Sequence, residues 1–264
     1  MVLVSWGALA QAEDLGLYLF QIPITRATAA TGVLAETVQA DLHVPNPAYL
    51  VTRLSETSLS VIAVEENAVR LAIGSHDTFT GAPTPQHRTS TFVIDYDEVP
   101  VAKLVNKIGT VHGSEPSIEE LLEFVDVAIA NKSFRRHFDL ASQVAVSGEG
   151  DCTEHAVLLT ALARATNRPA RVVLGLMLVE TSDNLMALGH AWTEIHNGDA
   201  WKIADATRPD VQLPGAKLRY VPLVVLDNEG PGYALQVANF TSVYPVRVDQ
   251  VRSVEPGAST QLEQ

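Results

Sequence analysis

The segment "GHAWTEIHNGDAWKIADAT" (Gly189–Thr207) limits the fold more than any other part of the chain. It consists of two alternating runs around Asn197-Gly198, and Asn-Gly is the preferred centre of a two-residue type I′ hairpin turn. In that register His196 pairs with Asp199, Ile195 with Ala200 and Glu194 with Trp201. Counting on, His190 falls directly opposite Asp205. Directly opposed residues hold their Cβ atoms about 4.5–5.5 Å apart, which allows an imidazole–carboxylate hydrogen bond. Alternation also places His190, Trp192 and Glu194 on the same face as Trp201, Ile203 and Asp205. A turn centred on Gly198-Asp199 would set His190 against Thr207 instead and weaken this reasoning. A cross-strand His–Asp pair is also common as a plain surface hydrogen bond, so chemistry requires a third group.

That group lies upstream, in "SGEGDCTEHAVLLTALARATNRP" (Ser147–Pro169), which holds the only cysteine of the chain. Asp151 is a favoured helix N-cap, and Glu154 three residues later completes a capping box. Cys152 therefore takes the first helical position. Val157, Leu158, Ala161, Leu162 and Ala165 recur behind it at helical spacing, and Asn167 and Pro169 end the run. Unpaired backbone N–H groups and the positive end of the helix dipole converge at such a position and favour a thiolate. The carboxylates of Asp151 and Glu154 act the other way, so a partner base has to supply much of the activation. A lone cysteine is most often a small buried apolar residue; its place at a helix start after Gly-Asp points instead to a nucleophile. Cys152, His190 and Asp205 then form a nucleophile–base–orienter set. The Cys152 N–H is one candidate oxyanion donor. Gln143, the nearest amide side chain upstream, is a candidate second donor, although a surface glutamine is the ordinary reading. A zinc site using Cys152 and His155, with His190 and His196 nearby, is a weaker alternative, because one thiol and scattered histidines make a poor metal signature. No metal and no other cofactor is expected.

These blocks resemble the transglutaminase-like superfamily, in particular its bacterial members. "GDCTEHAVLLTALARATNRPARVV", "GHAWTEI" and "WKIADAT" agree with it in order and spacing over residues 117–208. The resemblance implies a papain-like core, in which a Cys-bearing helix packs on an antiparallel sheet that carries His and Asp. By position, Cys152 matches the nucleophile, His190 the base and Asp205 the orienting acid. Trp192 and Trp201 fit the same pattern and become candidates for oxyanion or substrate contacts. One departure is "TNRPAR" where the pattern has a glycine before the proline; Asn167 takes over the helix-ending turn.

Elsewhere the chain reads as β-rich before residue 113. "LYLFQIPI" (Leu17–Ile24) is an apolar run, and "SLSVIAVEENAVRLAI" (Ser58–Ile73) reads as a hairpin. "STFVIDYDEVPVAKLV" (Ser90–Val105) alternates and carries Pro100, which suggests a bent or edge strand. "LDNEGPGYALQVANF" (Leu226–Phe240) reads as a turn followed by a strand. Ser117 and Glu120 form a second capping box ahead of a helical stripe. The expected class is therefore α+β: a signal-peptide remnant at 1–12, a β-rich domain at 13–112, a transglutaminase-like domain at 113–255 and a tail at 256–264. Ala10-Gln11-Ala12 fits a secretory cleavage site but lacks a basic flank, so export and a cytoplasmic location both stay open.

A formal net charge of −13 argues against nucleic-acid binding. No apolar run is long enough to span a membrane. The expected activity is acyl transfer on amide or peptide carbonyls through a thioester. Hydrolysis is favoured over crosslinking, because nothing marks a site for a second, amine substrate. The expected partner is a protein or peptide substrate; the oligomeric state is open. The alternative is an inactive transglutaminase-like module that binds protein.

Overall fold

The computed structural model describes residues 20–28, 32–113, 115–133 and 138–254. The stretches at 1–12 and 256–264, and with them the signal-peptide reading, lie outside the described residues. The strands are β1 (Gln21–Ile22), β2 (Ile24–Arg26), β3 (Val38–His43), β4 (Ser60–Val64), β5 (Ala68–Ile73), β6 (Asn131–Lys132), β7 (Glu149–Gly150), β8 (Ala170–Glu180), β9 (Leu185–His196), β10 (Trp201–Ala204), β11 (Lys217–Val225) and β12 (Arg247–Ser253). The α-helices are α1 (Pro47–Leu54), α2 (Val99–His112), α3 (Ile118–Ala128), α4 (Ala141–Ser147), α5 (Cys152–Ala165), α6 (Pro209–Gln212) and α7 (Tyr233–Asn239).

The fold is α+β. Its central sheet runs β1-β9-β8-β11, with β10 also paired to β9. Every residue of β8 is buried, as its continuous apolar run requires of a strand covered on both faces. One face packs against α5, the helix that begins at Cys152. The other closes over a smaller cluster of Phe79, Val173, Met177, Trp192 and Tyr220. Because α5 is buried from Cys152 to Arg164, its apolar residues surround the helix rather than forming a stripe, the pattern of a core helix. Helices α2, α3 and α4 flank it.

Strands β8 and β9 are in direct register, with Gly175 opposite His190. A Cβ on Gly175 would lie 2.1 Å from the Val221 carbonyl oxygen and 2.7 Å from the Trp192 ring. Backbone cannot yield as a flexible side chain can. Gly175→Ala is therefore expected to cost about 1–3 kcal/mol through overpacking. The check is chemical denaturation: an unchanged midpoint would show that the sheet flexes there freely.

Several elements depart from the sequence reading. The hairpin at β4–β5 forms, with Val64 opposite Val69. Ser90–Val105 is not a bent strand: it turns and then enters α2. Pro100 sits in the first turn of that helix, where no intrahelical N–H is needed. Val101, Leu104, Val105 and Ile108 are spaced as a helical face, and this signal outweighs the upstream alternation. Tyr233–Asn239 is helix α7 rather than a strand; such a short apolar run does not separate the two periods. The sheets also do not follow a division at residue 113. β12, from the C-terminal part, pairs with β2 and β3 in the second sheet, β2-β12-β3-β5-β4, while β1 joins the central sheet.

Candidate active site

Helix α5 starts as its capping sequence dictates. The Asp151 carboxylate accepts from the Thr153 N–H at 2.9 Å, and Glu154 accepts from the Asp151 N–H at 3.0 Å. Cys152 is thus fixed as the first helical residue, with no exposure to solvent.

The sulfur meets the edge of β9 rather than its face. The Gly189 N–H points outward to the Phe20 carbonyl, so by alternation the Ala191 N–H points the same way. Strand β1 covers this edge only at Ala187 and Leu188, and β10 only from Thr193 onward. In the gap between them the Ala191 N–H is directed at the Cys152 sulfur. Thr193, on the face toward α5, donates to the Ala156 carbonyl at 2.9 Å and locks helix to strand.

The hairpin forms with a longer loop than Asn-Gly predicts. The ladder pairs His196 with Trp201, Ile195 with Lys202 and Thr193 with Ala204. Its centre is therefore Gly198-Asp199, the register that weakens a direct His190–Asp205 pairing. The Asn197 side chain accepts from the N–H groups of Asp199 and Ala200, and this Asx turn favours the four-residue loop. A shift of two residues preserves the faces. His190 and Asp205 become diagonal rather than directly opposed neighbours, still within reach. Asp205 lies just past the end of β10, and its Oδ2 is 2.7 Å from His190 Nε2.

Asp205 is heavily bonded. Tyr220, from β11, donates its hydroxyl to the same Oδ2 at 2.8 Å. Oδ1 accepts from the Thr207 N–H at 3.0 Å and the Thr207 hydroxyl at 2.6 Å. Burial pushes the carboxyl pKa up, but the neighbouring His190 and the donors from His190, Thr207 and Tyr220 outweigh it and hold Asp205 below its usual value. Burial, then the nearby Asp205, pushes the Tyr220 hydroxyl up, so it remains a donor. Because Nε2 of His190 is committed to Asp205, the free ring nitrogen is Nδ1, which is buried and has no hydrogen-bond partner. Burial also raises the Cys152 thiol well above its ordinary value, helped by Asp151, Asp205 and Glu154 and only partly opposed by the Ala191 N–H. The helix start on its own predicts the opposite direction; removal from water reverses it.

The candidates read from the sequence separate here. Trp192 lies near the histidine, its ring 6.2 Å from that of His190 and nearly parallel to it. Its indole N–H is buried and unpaired. Trp201 is bound elsewhere: its indole donates to the Gly81 carbonyl at 2.8 Å, and the Arg171 guanidinium lies 3.7 Å from its ring centre. It clamps the loop after β5 to the hairpin. Gln143 is exposed on α4, whereas Cys152 is sealed, so the two are not brought together. His155 has both ring nitrogens engaged, Nδ1 by the Asp151 carbonyl at 2.6 Å and Nε2 by Lys132 at 2.8 Å. Burial, and then Lys132, lowers its pKa to about 4, so it is a neutral packing residue with no lone pair free for a metal. Among the described residues, no group of three His, Cys, Asp or Glu side chains could hold a metal ion, and no helix is long and apolar enough to cross a membrane.

Sequence reasoning missed Tyr220. It lies in an apolar strand, and no local pattern links it to Asp205. A cavity of about 360 Å³ opens beside it, lined by Ser75, His76, Ile203, Asp205, Asp210 and Tyr220. The slight exposure of the site, 8% at Asp205, is on this side.

The Transglutaminase-like superfamily model matches residues 104–206, which include Cys152, His190 and Asp205. No curated protein matches the chain. Among solved structures, a protein from Cytophaga hutchinsonii assigned as a cysteine protease is 17% identical, over 73% of this chain and 77% of its own, with a TM-score of 0.39. The periplasmic domain of TgpA from Pseudomonas aeruginosa is 14% identical, over 74% of this chain and 79% of its own, with a TM-score of 0.40. Likeness at these levels assigns neither activity nor substrate. At family level the sequence match supports a cysteine-dependent enzyme. Residues 104–206, the part of the chain that carries the cysteine, the histidine and the aspartate, are similar to the transglutaminase-like superfamily.

Proposed function

We propose that this protein transfers acyl groups from amide or peptide carbonyls through Cys152, with His190 as base and Asp205 as its orienting acid. The observation that carries this reading is the bond at 2.7 Å between His190 Nε2 and Asp205 Oδ2, which leaves Nδ1 buried and unpaired. That bond fixes Nε2 as the protonated nitrogen and Nδ1 as the lone pair. Nδ1 takes the Cys152 proton as the sulfur attacks, and returns it to the leaving amine. Water then resolves the thioester. The preference for hydrolysis over crosslinking rests on the lack of any sequence mark for an amine substrate. An inactive binding module has less support, because a module that only binds has no need to hold this histidine in one tautomer against a fully bonded aspartate.

The buried thiol is neutral in this closed arrangement at ordinary pH. A raised pKa means that the thiolate fraction, and with it alkylation by iodoacetamide, keeps increasing with pH. The expected rate climbs about tenfold per pH unit through and beyond pH 9, without the plateau near neutrality of a preformed thiolate. Intact-mass measurement of labelled Cys152 follows this. Alkylation should also abolish release of soluble peptide from casein, and amine incorporation should lag behind that release. Alkylated protein that keeps its full hydrolytic activity would sink the reading.

A further inference from the structure

A second unpaired polar group lies next to the reactive edge. The Tyr244 hydroxyl is buried and has no hydrogen-bond partner, and the residue is 7% exposed. Its oxygen occupies the place where a side chain at position 189 would begin: a Cβ on Gly189 would lie 2.0 Å from it. Gly189 is the residue before His190, two before Ala191, whose N–H meets the Cys152 sulfur. The Tyr244 ring is bracketed by Phe20 at 4.3 Å and Phe240 at 4.9 Å between ring centres. The hydroxyl is therefore held against the gap in β9 by packing on both sides. Burial first, and Cys152 nearby, push its pKa up, so it stays protonated and able to donate. A buried donor without an acceptor is a standing cost, and such groups in native proteins call for an explanation.

We propose that the Tyr244 hydroxyl is an oxyanion donor that acts with the Cys152 N–H, its acceptor being the carbonyl oxygen that the substrate brings. The inference rests on Cys152 being the nucleophile. The Cys152 N–H is available because the first N–H groups of a helix have no intrahelical acceptor. As the sulfur bonds to the carbonyl carbon, the thiol proton passes to His190 Nδ1 and the carbonyl π pair moves onto oxygen. Tyr244 hydrogen-bonds that oxygen without giving up its proton. When the carbonyl re-forms, the bond to the leaving group breaks and the leaving group takes the electron pair. Trp192 is the competing unpaired donor, but its ring packs beside Gly175 and Tyr220, whereas the Tyr244 hydroxyl lies against Gly189, two residues before the N–H directed at the sulfur. Tyr244 is the donor at the edge where the sulfur lies.

The test separates two reactions of one thiol. Attack on p-nitrophenyl acetate passes through an oxyanion; alkylation by iodoacetamide, at a saturated carbon, does not. In Tyr244→Phe, which keeps the ring and its packing, acetylation of Cys152 is expected to fall about 10²-fold, the usual cost of one oxyanion donor. Alkylation is expected to stay within about twofold of wild type, and the melting temperature to hold or rise. Equal acetylation rates in the two proteins would overturn the proposal and leave Tyr244 as packing alone. A rise in both reactions would also overturn it, by showing that the hydroxyl covers the thiol. A wild-type protein whose Cys152 is never acetylated fails earlier, at the assignment of the nucleophile, and takes this inference with it.

Discussion

Cys152→Ala is expected to reduce acyl transfer by about 10⁶-fold, the scale on which loss of a nucleophile is felt when the remaining groups act as a unit. In the proposed mechanism every other part of the site serves this sulfur. His190 Nδ1 has no other proton to take, and the Ala191 N–H has no strand partner in the gap of β9. The fold should survive. The capping bonds of Asp151 and Glu154 do not involve the thiol. Loss of one small buried group costs on the order of 1 kcal/mol. Burst acetylation by p-nitrophenyl acetate and a thermal melt together check the result. A variant that folds and still reacts within tenfold of wild type would move the chemistry to another residue.

The second large effect is expected at Asp205. Asp205→Asn should lower the rate about 10⁴-fold while the protein remains folded. The reason lies in the four donors around the carboxylate. The Thr207 N–H, 3.0 Å from Oδ1, belongs to the backbone and cannot turn away, so an asparagine must place its oxygen there. Its NH₂ then replaces Oδ2 and faces His190 Nε2. To accept that donor, His190 has to move its proton to Nδ1, the nitrogen that should receive the thiol proton. The base is present but in the wrong tautomer. Tyr220 loses the same acceptor, which adds a structural cost, so the melt is needed beside the rate. Asp205→Glu, which keeps the charge, should not restore activity, because the longer chain displaces both oxygens from Thr207 and Tyr220. A rate for Asp205→Asn within tenfold of wild type would show that Asp205 does not set the tautomer.

The sequence and the structure agree best where the determining interactions are local. The start of α5 was legible because an Asp at the N-cap and a Glu at the third helical position satisfy backbone donors within a single turn. The face shared by His190 and Asp205 was legible because strand side chains alternate with a fixed period of two. The same period explains why the pairing survived a wrong register: a slip of two residues changes the partner and keeps the face. The reading failed where two periods competed. Ser90–Val105 begins with alternation and continues with the helical stripe of Val101, Leu104, Val105 and Ile108; the helical part prevailed because α2 buries that stripe beside α4 and α5. Gln143 looked suitable only for its distance along the chain from Cys152, and α4 turns it to solvent.

By itself, then, the sequence determined a capped helix presenting Cys152 at its first turn, and a hairpin that puts His190 and Asp205 on one face. Hydrogen bonds between near neighbours and side-chain alternation settle these, and both are written in adjacent residues. Only the tertiary structure decided what surrounds them. It brought Tyr220 from β11 to the Asp205 oxygen that His190 also uses, and it set Tyr244 against Gly189 across the chain. It also reversed the direction of the Cys152 pKa, because the cost of a charge depends on how much water is removed around it, and that depends on elements far away in sequence.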